Sequence, residues 1–180
     1  VDEVDLVTTA LADYLRYWSQ EDWKPLEVEH ELRARIPHPV LKGETFLFTQ
    51  RADLIVEDEA GQIWIVDHKT ASRINNASLD QYILSGQMVG YQHFGRAIYG
   101  ARFAGVILNR IKIYAPLEYD RRAVPPAPVA TAGFVKTLQW AEYLDHIVPM
   151  DPAQAPMATR DSACYGKYGK CSAFNHCRFG

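Results

Sequence analysis

Two strand-like runs joined by an acidic glycine turn constrain this chain most. "TFLFTQRADLIVED" (45–58) and "QIWIVDHKT" (62–70) each read as a strand. The "EDEAG" between them suits a hairpin, which sets the two strands side by side. Asp53, late in the first strand, then lies close to Asp67, 14 positions further on. Residues two apart in a strand share a face, so Asp67 and Lys69 point one way and His68 the other.

Two neighbouring carboxylates repel, by roughly 4 kcal/mol at about 4 Å and an effective dielectric of about 20. Something cationic must offset this. Lys69 alone could do so, as an ordinary strand-end ion pair. A divalent cation does it better, because Mg²⁺ takes one or two carboxylates together with phosphate oxygens and water. Lys69 is then free to stabilise charge developing on a phosphate or to help the attacking water.

The remaining pattern predicts helix, three strands, helix, strand, helix and tail, an α/β class with helices flanking a mixed sheet. The first helix carries Leu6, Leu11, Tyr14, Leu15 and Trp18 at helical spacing and ends near Gln20. "LEVEHELRARI" (26–36) alternates as the first strand. The second helix is predicted from an N-cap at Ser78 to a stop at Gly100, with Gln87 and Tyr91 one turn apart on a face shared with Ile83, Phe94 and Ile98. "ARFAGVILNRIKIY" (101–114) reads as a strand whose first half is buried on both faces. "AVPPAPVA" (123–130) breaks the chain before a last helix over "GFVKTLQWAEYLDHIV" (133–148). Trp64, Phe134 and Trp140 are expected in the core, His93 and His146 on helix surfaces, and His68 under a helix. Arg110 and Lys112 share a strand face as solvated charges.

The chain has 180 residues, is 48% hydrophobic and carries a net charge of −3. One domain with a real core is expected over 1–150, with a cysteine-bearing tail over 151–180. The net charge provides no overall basic field for nucleic acid, so such binding would rest on local patches. No apolar run is long enough for a membrane span and no signal peptide is recognisable. The opening at Val1, without Met and inside a helical pattern, reads as a fragment with elements upstream.

The ordered set "RAD" (Asp53), "DHK" (Asp67, Lys69) and "QMVGY" (Gln87, Tyr91) resembles the PD-(D/E)XK nucleases, and most closely their RecB-like branch of phage and CRISPR-associated exonucleases. The resemblance runs over about 26–114 and implies a restriction-endonuclease-like core. It implies a DNA nuclease, an exonuclease of phage or bacterial recombination and repair, working in the cytoplasm of a bacterium or a phage-infected host. Other recombination or replication proteins would be its partners. Asp53 and Asp67 would bind Mg²⁺ or Mn²⁺, joined by the backbone carbonyl of His68. Glu29 is the positional match for an upstream acid, set against an ordinary solvent-facing strand residue. Lys69 would assist the water and the transition state, while Gln87 and Tyr91 orient the substrate or the lysine.

The three cysteines, Cys164, Cys171 and Cys177, fall in the last 17 positions. Some RecB-like nucleases bind a 4Fe–4S cluster with three C-terminal cysteines and one N-terminal cysteine, and four thiolates are the usual requirement. A fourth from an upstream segment, a zinc site completed by His176, and three buried thiols all remain open. The segment from Arg160 to Gly180 has four Lys/Arg and one Asp, so a cluster would carry Lys167, Lys170 and Arg178 toward a DNA backbone. A different reading is a nuclease-fold module that binds DNA or protein with weak catalysis. It rests on Gln50-Arg51-Ala52 where the family carries a glycine, a first helix without histidine, and the incomplete cysteine set. A third reading is a zinc module grafted on an α/β domain.

Overall fold

In the computed structural model, residues 3–75 and 82–147 and the four residues 165, 166, 169 and 170 are described. Helix α1 (Glu3–Tyr17) is followed by strands β1 (Lys24–Pro37), β2 (Thr45–Glu57) and β3 (Ile63–Ala71). Then come α2 (Gly86–Tyr99), β4 (Phe103–Lys112), β5 (Glu118–Ala123) and α3 (Pro128–Ile147). The strands form one mixed sheet in the order β1-β2-β3-β4-β5. All neighbours are antiparallel except β3 and β4, which the α2 crossover makes parallel. The expected α/β core with helices flanking a mixed sheet is therefore present. Among the described residues, no helix is long and apolar enough to cross a membrane.

Alternation along β3 sorts the sheet into two faces. Ile63 and Ile65 join Leu32, Ala52, Ile55, Val106 and Leu108 under α2, whose Met88, Val89, Tyr91 and Phe94 close the main core. Phe134 of α3 completes it. Val66 faces the other way, with Val56 and Ile107, against Trp23, Leu54 and Trp64. Asp67 and Lys69 follow the parity of Ile65 and end the α2 face. His68 follows Val66, on the side where Tyr14 of α1 sits.

Several expectations need correction. β5 was not anticipated, because "EYDRRA" has no apolar alternation. It pairs antiparallel with β4 along its whole length, where Asp120 meets its register partner Arg110. Arg110 is not a solvated charge: it is 1% exposed, donates to Asp120 Oδ2 at 3.1 and 2.6 Å and to the Asn75 carbonyl at 2.7 Å. Removing Asp120 leaves that guanidinium buried without its carboxylate. Asp120→Ala should therefore lower unfolding stability by about 3–5 kcal/mol in urea titration. The stretch of β4 buried on both faces is Val106–Arg110, not its first half.

Helix boundaries shift too. α2 begins at Gly86 after a break, with Ser85 as its cap: the Ser85 hydroxyl accepts from the Met88 N–H. Ser78 lies outside the described residues. Gly100 stops the helix as expected, with φ at +57°. α3 starts at Pro128, inside the predicted breaker, where a proline's fixed φ suits the first helical turn. Trp140 is 60% exposed, stacked on Tyr143, and Ile98, Leu11 and Leu15 are also exposed. His93 is half-buried against Phe94 and Phe134 rather than on the surface. Cys164, Cys171, Cys177 and His176 lie outside the described residues.

Candidate active site

The site sits where β2 and β3 meet the start of α2. Asp67 is fully buried, yet it is a carboxylate. Lys69 Nζ lies 3.0 Å from its Oδ1 and 2.7 Å from its Oδ2. Gln87 Nε2 donates to Asp67 Oδ1 at 2.9 Å and reaches the Tyr91 hydroxyl at 3.0 Å. Tyr91 in turn donates to the Arg51 backbone carbonyl. The one-turn spacing of Gln87 and Tyr91 thus puts both side chains over the β2–β3 pair. Asp53, half-buried, accepts the His68 backbone N–H on its Oδ2 at 2.7 Å.

The structure therefore brings together Asp53, Asp67, Lys69, Gln87 and Tyr91. Glu29 stands apart. Its side chain is 61% exposed and lies 3.9 Å from Arg51. Its backbone has φ of +51°, rare for a residue other than glycine. The β1–β2 ladder is interrupted there: Val28 pairs with Leu54 and His30 with Ala52, with Glu29 and Asp53 between them. Side chains 48 and 52 of β2 face α2, whereas Leu54 and Val56 face the opposite side. Asp53 sits at this change of phase.

Electrostatics mark Asp67 as costly. Burial pushes its carboxyl above the usual range; Lys69 pulls it down, and the Asp53 charge adds to the rise. Burial holds the His68 imidazole below its ordinary value and pushes the Tyr91 hydroxyl up. Asp67 Oδ2 accepts no hydrogen bond among the described residues and has only the ammonium of Lys69 beside it.

The donor set fits a divalent metal: the fully buried Asp67 carboxylate has the charge of Asp53 near it and, among the described residues, the Lys69 ammonium as its cation. A hard cation would offset the two negative charges and share the Asp67 oxygens with Lys69. No group of three or more His, Cys, Asp or Glu side chains gathers among the described residues, so Asp53 and Asp67 would be the side-chain ligands, with backbone, water and substrate oxygens completing the shell.

Sequence reasoning missed Gln50 as a support. Its Nε2 donates to the Gln87 carbonyl at 2.7 Å, anchoring the first turn of α2 to β2. Gly90 makes room for it, since a Cβ there would fall 2.3 Å from Gln50 Oε1 and 3.0 Å from Phe134 Cζ. Gly90→Ala should displace Gln50 and outweigh the gain in helix propensity, with a net loss of about 1 kcal/mol by urea unfolding.

Among solved structures, the chain is similar to one described as "Crystal structure of SSO0001", at 17% sequence identity and a TM-score of 0.44. The match covers 81% of this chain and 60% of that one, so this chain spans less than two thirds of that protein's length. A search of curated proteins finds no match. A family model described as the PD-(D/E)XK nuclease superfamily matches residues 2–178, which takes in every element of the sheet and all five side chains gathered between β2, β3 and α2. With a match of that extent, the chain belongs to the PD-(D/E)XK nuclease superfamily.

Proposed function

We propose that this chain is a Mg²⁺- or Mn²⁺-dependent deoxyribonuclease that hydrolyses phosphodiester bonds. The observation that carries the reading is the fully buried Asp67 carboxylate, tied to Lys69 and Gln87 and repelled by the nearby charge of Asp53. Asp53 and Asp67 would hold the metal, with the His68 carbonyl as a further ligand. The metal would supply Lewis acidity at the scissile phosphate and an activated water. Lys69, 28% exposed beside Asp67, would stabilise charge developing on the phosphate or help the attacking water. Gln87 and Tyr91 hold the Asp67 carboxylate in one rotamer, so the site is ordered before substrate arrives. DNA is the substrate that family membership favours. Exonuclease action in phage or bacterial recombination or repair, in the cytoplasm and beside other proteins of that process, is the finer reading.

End-labelled linear DNA and closed circular DNA, single- and double-stranded, with Mg²⁺, Mn²⁺ or EDTA, test this. Metal-dependent loss of linear DNA alone supports an exonuclease, and nicked circles point to an endonuclease. A folded sample that cuts nothing removes the catalytic reading.

A further inference from the structure

We propose that Asn109 is a positioning residue for the acid site, acting from the reverse face of the sheet through the His68 ring. This rests on the nuclease reading above. His68 lies between Asp67 and Lys69 in sequence, and its backbone N–H is the donor that holds Asp53 Oδ2. Its ring leaves the site and crosses to the α1 side. There it meets Asn109, its register partner on β4, at 2.6 Å from Nδ1 to Nδ2.

Asn109 is fully buried on the face that also carries the apolar cluster of Val56, Val66 and Ile107. An apolar residue of similar size would satisfy that packing without needing any partner. Instead the amide is matched on every side. Its Nδ2 also lies 2.8 Å from the Tyr14 hydroxyl, and its Oδ1 accepts from Arg121 Nε at 3.1 Å. Arginine can only donate, so the Asn109 oxygen must face Arg121 and its amino group must face His68. His68 Nδ1 is then the acceptor and the ring proton sits on Nε2.

Arg121 is itself immobilised. Its guanidinium lies 3.9 Å from the Trp18 ring centre and 4.7 Å from that of Trp23, and it pairs with Glu21 and the Tyr14 hydroxyl. The chain of contacts therefore runs from α1 through Arg121 and Asn109 to the His68 ring, and from the His68 backbone to Asp53. Hydrogen-bonded networks in a low-dielectric interior restrict the geometry of their members. Here the fixed element is the peptide between the two acids.

The test compares full-length wild type, Asn109→Leu, His68→Phe and the double variant, with Ile36→Val as a core control distant from the network. Amide hydrogen exchange at His68, without metal, reads the hold on Asp53. Mg²⁺ half-saturation and KM for DNA in the cleavage assay read its consequence. Both single variants should speed amide exchange at position 68, relative to the intrinsic rate of the residue there, and raise the Mg²⁺ requirement by about tenfold, the lower end of what outer-shell losses cost. KM for DNA should stay unchanged, and the double variant should add nothing further. Ile36→Val should move none of these. If Asn109→Leu does not fold, His68→Phe alone carries the comparison. Wild-type exchange at His68 and a wild-type Mg²⁺ requirement in a folded variant would overturn the proposal. If wild type itself neither binds Mg²⁺ nor cuts DNA, the nuclease reading falls, and the exchange result alone still decides whether Asn109 holds His68 on Asp53.

Discussion

Lys69→Ala is expected to lower metal-dependent DNA cleavage by about 10³-fold while Mg²⁺ affinity changes only a few-fold. A positioned cationic donor or water-activating group contributes on the order of 10²–10⁴ in rate. Among the described residues, Lys69 is the one ammonium touching the Asp67 carboxylate, and it remains 28% exposed, so it can reach a phosphate without breaking the core. The two acids keep their positions without it: Asp67 is still held by Gln87 and Asp53 by the His68 N–H. Single-turnover cleavage together with calorimetric Mg²⁺ titration separates the two effects. A variant that cuts at the wild-type rate would remove Lys69 from the chemistry.

Asp67→Asn is expected to abolish metal binding and cleavage together, yet to leave the metal-free fold as stable as wild type or more so. Burial raises the Asp67 carboxyl above its ordinary value of 3.8. For a carboxyl shifted upward by folding, ionisation works against the native state. The stability present below the unfolded value is lost as pH rises from there through the folded value. At neutral pH the wild type carries that cost, and asparagine removes the charge while keeping an acceptor for Gln87. The contrast shows in thermal unfolding. With Mg²⁺ at about 100 times its Kd, wild type should gain about 2.7 kcal/mol and the variant nothing. A metal-free variant much less stable than wild type would mean that Asp67 is held for its ion pair rather than for a ligand.

The hairpin and its acids were legible because they rest on local rules. Strand-like runs, a glycine turn and a helical i, i+4 pair set Asp53, Asp67 and Lys69 on neighbouring strands and Gln87 and Tyr91 on one helix face without reference to the rest of the chain. What escaped the sequence depends on tertiary partners. β5 pairs along β4, where Asp120 answers a buried Arg110, and no periodicity announces that. The phase change at Glu29 and Asp53 uses a left-handed glutamate, where only glycine or asparagine would have signalled it. The network behind His68 joins α1, β4 and β5 across more than 100 positions, from Tyr14 to Arg121, so spacing could not reveal it. The break before α2 was hidden by an apolar pattern that continues across Ser85.

The most direct test of the account is to locate Mn²⁺ in crystals of the full chain by its anomalous scattering. The account predicts one strong peak shared by the carboxylates of Asp53 and Asp67, lost in Asp67→Asn. Saturating Mn²⁺ with no peak there, or a peak held by other side chains, would contradict it.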